Sequence, residues 1–326
     1  MSYNGVPLKQ FAQSLQDLSR FLITTHIQPD GDGIGSAIAL YHHLTLSGKQ
    51  AWIVSPSQTP EKFDVVDPGK VIQVYQPGFQ LPKVDAVIIV DTNEVKMLGP
   101  MTPAVENLKV PILFVDHHVK ELQNTQDHLI DEFAGSSGEL IYRLIKSVNG
   151  EINLDMANAL YVAILTDTGN FRYHRTSSST HETVAELIRK GVKPESIFQS
   201  VFGKDSISKL RLLGEVLKGL QTDCEGKLVW VSISKKARVE SQATLEDTES
   251  FIGHLTLLRG VRIVALFREE DNGSTKLSLR GMNNQPVIEI AKKFGGGGHR
   301  FAAGAKIQKP LAETISLVLK EAASKL

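Results

Sequence analysis

The stretch FLITTHIQPDGDGIGSAIALYHHLTLSG, residues 21–48, joins an apolar run to a helical pattern, and the join carries His26, Asp30 and Asp32. FLITTHI (21–27) reads as a strand buried on both faces, because its apolar residues do not alternate strictly with polar ones. A helix is expected over 33–48. The same rhythm returns in AWIVS (51–55), VIQVY (71–75), DAVIIVD (85–91) and VPILFVD (110–116). Apolar strands interleaved with helices predict an α/β fold whose parallel sheet is covered on both sides.

Beyond residue 137 apolar residues recur at three and four in GELIYRLIKSV, MANALYVAILTDTG, HETVAELIRKG and KDSISKLRLLGEVLKGL. The last of these suits a connecting helix. After the turn-like DCEGK (223–227) the pattern restarts with LVWVSIS, a helix near 246–258, and the strands VRIVALFRE and TKLSLRG. PVIEIAKKF, four glycines, HRFAAGAKI and a helix from Pro310 close the chain. We therefore expect a catalytic domain over 1–204, a connecting helix and linker over 205–225, and a smaller α/β domain over 226–326.

The length of 326 residues fits two cores better than one. No stretch approaches the roughly 18 uninterrupted apolar residues of a membrane span, and the N-terminus lacks the basic-then-apolar order of a secretion signal, so a soluble cytoplasmic protein without a membrane partner is expected. Lys+Arg and Asp+Glu both number 36, which leaves no global field to hold a long polyanion. Long nucleic acid is thus a poor substrate candidate. Cys224 stands alone, which excludes an internal disulfide and a thiolate metal cluster.

Three clusters sit at the ends of apolar runs: His26 with Asp30 and Asp32, then Asp91, then Asp116, His117 and His118. In an open parallel sheet ligands bind outside the carboxyl ends of the strands, so neighbouring strands would bring the clusters together. Asp167, where an apolar helix meets the breaker Gly169, is a fourth candidate. Convergent carboxylates repel one another unless a cation lies between them. Asp oxygens mixed with His nitrogens suit Mn²⁺ first and Mg²⁺, Zn²⁺ or Co²⁺ less selectively. Two such ions about 3.5 to 4 Å apart are the recurring device for in-line attack on phosphorus. Each piece alone also has a plainer reading, Asp91 as a cap and PDGDG as a turn.

Taken in order, His26-x-x-x-Asp30-x-Asp32, Asp91, Asp116-His117-His118 and Asp167 resemble the motifs of the DHH phosphoesterases. Gly296-Gly297-Gly298-His299 with Ala302-Ala303-Gly304 resembles the signature of the DHH-associated C-terminal domain. The resemblance spans nearly the whole chain and implies one metal on His26, Asp30 and Asp91 and a second on Asp32, Asp91, His117 and Asp167. It further implies that Asp116 orients its neighbour His117, and that His118 faces the scissile phosphate as a catalytic group beside the bridging Asp91. Members with this compact layout imply very short oligoribonucleotides, or the nucleoside bisphosphate pAp, as substrates, and often a homodimer.

The glycine run could be a linker, but Lys292, Lys293, His299 and Arg300 flank it. Bare N–H groups near a helix start, with cations beside them, make an anion site. Gly296, Gly297, Gly298, His299 and Arg300 are therefore expected to hold phosphate or nucleotide, and Arg280, at the end of TKLSLRG, to offer a bidentate contact. A cyclic-dinucleotide phosphodiesterase would use the same centre, and a sensor that binds without hydrolysis is the reading from another class. A pyrophosphatase has no use for a nucleotide clamp, and a processive exonuclease would be expected to carry a further binding module.

Overall fold

The computed structural model describes residues 6–118, 128–203 and 205–326, without the side chains of Val6, Pro7 and His299. The chain divides into two compact units, Met1–Lys204 and Asp205–Leu326.

The first unit runs α1 (Val6–Ser14), β1 (Arg20–Thr24), α2 (Gly31–Leu46), β2 (Gln50–Ser55), β3 (Ile72–Val74), β4 (Ala86–Val90), α3 (Thr102–Glu106), β5 (Ile112–Asp116), β6 (His128–Ile130), α4 (Ser137–Ser147), α5 (Leu154–Asp167), α6 (Ser178–Arg189) and α7 (Pro194–Phe202). Its six strands are ordered β3-β2-β1-β4-β5-β6 and every pairing is parallel. Alternate residues explain the unbroken apolar runs. Phe21, Ile23, Ile88, Val90 and Val115 pack on one face with α1, α2, α4 and α5. Leu22, Val87, Ile89 and Phe114 pack on the other with Leu98, Met101 and Val105.

α2 and α5 are apolar around most of their circumference because both lie inside this core. They cross closely: a Cβ on Gly35 would meet the Ala159 carbonyl oxygen at 2.3 Å. That crossing brings the first turn of α2, with Asp32, to the last turn of α5, with Asp167.

The second unit runs α8 (Ile207–Lys218), β7 (Gln221–Asp223), β8 (Leu228–Ile233), α9 (Lys235–Glu240), α10 (Ile252–Leu255), β9 (Ile263–Glu269), β10 (Thr275–Gly281), α11 (Ile288–Lys293), β11 (Gly297–His299), β12 (Ala302–Ile307) and α12 (Leu311–Ala323). The strand order is β11-β12-β10-β9-β8-β7, with β8 and β9 the one parallel pair among those assigned. One face buries Ala265, Phe267, Leu277 and Leu279 under α11 and α12. On the other, Val229, Val231, Val264 and Leu266 are covered by α10 and by Leu212 and Val216 of α8. The helix expected as a connector thus places two side chains in this unit's core. The helix expected near 246–258 is in fact two short turns, Glu246–Thr248 and Ile252–Leu255.

Candidate metal centre

The strand order reverses between β1 and β4, the point at whose carboxyl ends open parallel sheets collect their ligands. His26 lies two residues beyond β1, and Asp91 follows β4 directly. Asp91 takes φ 62°, a left-handed conformation that costs a non-glycine residue about 1–2 kcal/mol and that Asp tolerates better than most. Its amide donates to the Val115 carbonyl at 2.9 Å, which ties this bend to the end of β5. His26 Nε2 then stands 3.4 Å from Asp91 Oδ2 and 4.0 Å from Asp30 Oδ1. The other ring nitrogen, Nδ1, lies 2.9 Å from the Ile27 carbonyl; placing the proton there leaves Nε2 as a lone-pair donor toward the carboxylates.

Asp30 both caps and faces the site. Its Oδ1 accepts the amides of Asp32 (2.9 Å) and Gly33 (3.2 Å) at the start of α2. Asp32 is fully buried and is held from a distant part of the chain: Oδ2 accepts the Ser137 amide at 2.7 Å, and Oδ1 accepts the Gly138 amide at 2.9 Å and the Ser36 hydroxyl at 3.1 Å. These are first-turn amides of α4, where the helix dipole favours an anion. Ser137 Oγ also lies 3.5 Å from Asp91 Oδ1. Even so, burial, and after it the charges of Asp167 and Asp30, push the Asp32 carboxyl well above the ordinary range. Asp91 is raised by burial and then by Asp32, and Asp167 is pushed up to about 6 by burial and then by Asp30. A cation among these carboxylates would relieve that cost.

His117 supplies the clearest sign of which kind. Its Nε2 is buried without a hydrogen-bond partner, 3.3 Å from Asp167 Oδ2, 3.6 Å from Asp32 Oδ2 and 3.7 Å from Asp91 Oδ1. Burial, reinforced by the charges of His118 and Arg175, lowers its pKa to about 4, so the ring is neutral at physiological pH. A neutral imidazole nitrogen aimed among three carboxylates fits a divalent ion. Nδ1 has two neighbours that ask for opposite tautomers, the Ala134 carbonyl at 3.3 Å and Arg175 Nη1 at 3.1 Å. Ligation by Nε2 requires the proton on Nδ1, donated to Ala134.

Asp116 does not hold His117, as the resemblance implies, but His118: Oδ1 accepts from His118 Nδ1 at 2.7 Å and Oδ2 from Asn93 Nδ2 at 2.8 Å. Residues two apart on an extended chain project to the same side, which puts Asp116 with His118 and turns His117 inward. Burial works to raise the Asp116 carboxyl, but the hydrogen bond and charge of His118 outweigh it and hold it below the usual range. The same bond overcomes burial at His118 and raises its pKa.

The candidate ligands form three groups whose donor atoms lie within 4.8 Å of one another: His26, Asp30 and Asp91; Asp32, His117 and Asp167; and Asp91, His117 and His118. Among the described residues all six sequence-derived ligands therefore fall in one place. Ser137, Gly138, Asn93 and Arg175 are additions that the sequence reading missed. Arg175, eight residues past the end of α5, and Asn93, two residues past Asp91, offered only proximity in sequence as a signal; the two α4 amides offered none.

Comparison with known proteins sharpens this picture. Residues 20–164 match the model of the DHH family N-terminal domain, and residues 226–326 that of the DHHA1 domain. The bifunctional oligoribonuclease and PAP phosphatase NrnA of Thermus thermophilus is 30% identical over 88% of this chain and 83% of its own. The chain belongs to the DHH family. A DHH protein is a metal-dependent phosphoesterase, and that is the chemistry of this chain. The Bacillus subtilis protein of the same name is 26% identical over 88% of each chain. An exopolyphosphatase-related protein from Bacteroides fragilis superposes with a TM-score of 0.92 at 25% identity, over 100% of this chain and 98% of that one. Thermus thermophilus RecJ, solved with Mn²⁺, shares the fold at 13% identity and a TM-score of 0.58, over 98% of this DHH chain and 55% of RecJ.

In the DHHA1 unit the glycine run is a strand and not a helix start. Gly295, at φ 76°, follows the end of α11, and Gly297, Gly298 and His299 pair antiparallel with Gly304, Ala303 and Ala302. The glycines allow a close approach: a Cβ on Gly296 would meet the Gly304 carbonyl oxygen at 2.0 Å. The helix-dipole reason for an anion site therefore does not apply. Gly296, Gly297, Gly298 and Arg280 do line one open cavity of about 730 Å³, with Ser278, Ala302 and Gly304 as a floor of small residues. Arg280 Nη1 donates to the Leu279 carbonyl at 3.0 Å. Arg300 lies over the Phe301 ring at 5.2 Å and is not among the residues lining the cavity. The side chain of His299 lies outside the described part.

Proposed function

We propose that this DHH protein hydrolyses very short oligoribonucleotides to mononucleotides, and pAp to AMP and phosphate, using two divalent ions, Mn²⁺ foremost. One observation carries the two-ion reading: Asp91 presents Oδ2 to His26 at 3.4 Å and Oδ1 to His117 at 3.7 Å, so each carboxylate oxygen serves a different ligand group. In this reading His26, Asp30 and Asp91 hold one ion, and Asp32, Asp91, His117 and Asp167 hold the other. Bound there, divalent ions supply a water acidic enough to act as nucleophile near neutral pH and positive charge against the phosphoryl oxygens.

The protein groups divide the remaining work. Asp91, bent out of β4, fixes the spacing of the two ligand groups. Asp116, held by Asn93, keeps a proton on His118 Nδ1 and orients the ring, so that an imidazole of raised pKa faces the negative charge on the phosphoryl oxygens in the transition state. In the DHHA1 unit, the small-residue floor leaves room for a flat base, and Arg280 offers a guanidinium to a phosphate oxygen. The names of the Thermus and Bacillus relatives support oligoribonuclease and PAP phosphatase activity as the pair to test.

The test is a substrate panel in Mn²⁺: a diribonucleotide, a pentaribonucleotide, a long single strand, pAp and a cyclic dinucleotide. The expected order places the diribonucleotide and pAp far above the long strand. Turnover of the cyclic dinucleotide alone would replace the proposal with a cyclic-dinucleotide phosphodiesterase, and nucleotide binding without turnover under any divalent ion would replace it with a sensor.

A further inference from the structure

Glu139, in the first turn of α4, is a carboxylate with no exposed surface, and it is not among the candidate ligands. Four donors converge on it. Oε2 accepts the Gly135 amide at 3.1 Å and the Thr180 hydroxyl at 2.9 Å; Oε1 accepts the Ser179 hydroxyl at 3.2 Å and Arg143 Nη2. Arg143 Nη1 in turn bonds Asp131 Oδ2 at 3.0 Å, just past β6. Glu139 thus ties together the end of β6, the start of α6 and the turn that enters α4.

That turn holds the metal centre from behind. Gly135 opens it, and a Cβ there would come within 3.0 Å of Glu139 Oε2 and 3.1 Å of Thr180 Oγ1, so the glycine and the carboxylate fit each other closely. Ala134 presents its carbonyl to His117 Nδ1, and Ser137 and Gly138 give their amides to the two oxygens of Asp32. A buried carboxylate is expensive unless hydrogen-bond donors satisfy it, and here four donors do so. We infer that Glu139 is a positioning residue: by clamping Gly135 against α6 it sets the turn whose amides and carbonyl orient Asp32 and His117. The inference rests on the metal-centre reading above.

Glu139→Gln keeps the shape but leaves one acceptor oxygen, and turns two amide hydrogens toward groups that also donate. Groups that orient metal ligands typically contribute 10–100-fold in metal affinity. Mn²⁺ titration of the metal-stripped full chain, followed by the electron paramagnetic resonance of free Mn²⁺, reads the two sites without substrate. The expected result is a loss of about tenfold or more at the site that uses Asp32 and His117, with a smaller change at the site that uses His26 and Asp30. Arg143→Lys, which keeps the charge and loses the fork between Glu139 and Asp131, should weaken the same site by a smaller factor and serves if the first variant fails to fold. A purely structural role would lower stability in EDTA while both Mn²⁺ affinities stay at wild-type values in both variants, and that result overturns the inference. A wild type that binds no Mn²⁺ would instead remove the metal-centre reading, and the inference with it.

Discussion

Asp167→Asn should change sign with conditions, because the same carboxylate is a burden to the metal-free fold and a ligand in the loaded one. Its Oδ2 lies 3.3 Å from His117 Nε2, in a group whose donor atoms, Asp32 included, are within 4.8 Å of one another. Burial is the larger cause that raises the Asp167 carboxyl, and the charge of Asp30 is the next. The rise of Asp167 from 3.8 to about 6 corresponds to ~3 kcal/mol. Its side chain is 29% exposed, and screening by solvent brings the working figure to ~2 kcal/mol. Since the folded pKa lies above the unfolded one, the carboxyl costs nothing below about pH 3.8, where both states hold the proton. The cost grows as pH rises toward 6 and is complete above it.

In EDTA at pH 7.5, Asp167→Asn should therefore be more stable than wild type by ~2 kcal/mol, and the gain should be largely gone near pH 4. In saturating Mn²⁺ the order should reverse, because the variant has lost a ligand and with it the stabilisation that comes from binding only the folded state. Urea unfolding followed by Trp52 fluorescence, in a Trp230→Phe background, reports the first unit alone. A variant less stable than wild type in EDTA at pH 7.5, or a difference that does not vary with pH, would refute the electrostatic reasoning.

Other expectations follow from packing and hydrogen bonding. Gly35→Val drives a side chain into the Ala159 carbonyl and should lower stability by ~1–3 kcal/mol or more, read as a lower urea midpoint; an unchanged midpoint would contradict the close crossing of α2 and α5. Asp116→Asn removes the charged partner of His118 and should lower kcat by about 10–100-fold with little change in KM, and a wild-type kcat would show that His118 needs no orienting group. Gly298→Ala, at φ 128° and with its new Cβ 2.6 Å from the Ala302 carbonyl oxygen, should raise KM for the diribonucleotide while Mn²⁺ affinity stays unchanged. An unchanged KM would mean that the glycine strand serves the fold alone.

The parallel sheet was legible because β1, β4 and β5 each carry an unbroken run of apolar residues buried on both faces, Phe21–Ile23, Ala86–Val90 and Ile112–Val115, and the ligand clusters were legible because each follows such a run. What sequence spacing does not carry is contact between distant segments. The amides that hold Asp32 lie 105 and 106 residues away, at the start of a helix whose own pattern is an ordinary amphipathic one. The partner of Asp116 was misassigned because adjacency in sequence was taken for adjacency in space, whereas an extended chain pairs residues two apart. The glycine run was read through helix dipoles, although the small residues of Ala302–Ala305 opposite it already matched the glycines as partners in a tightly packed hairpin.

In the proposed function Asp91 joins two metal sites that together cleave a phosphoester. The most direct test is Mn²⁺-dependent release of mononucleotide from a labelled diribonucleotide by wild type beside Asp91→Ala. Turnover by the wild type that vanishes in EDTA and in the variant is the expected result. Substantial Mn²⁺-dependent turnover by Asp91→Ala would contradict the claim.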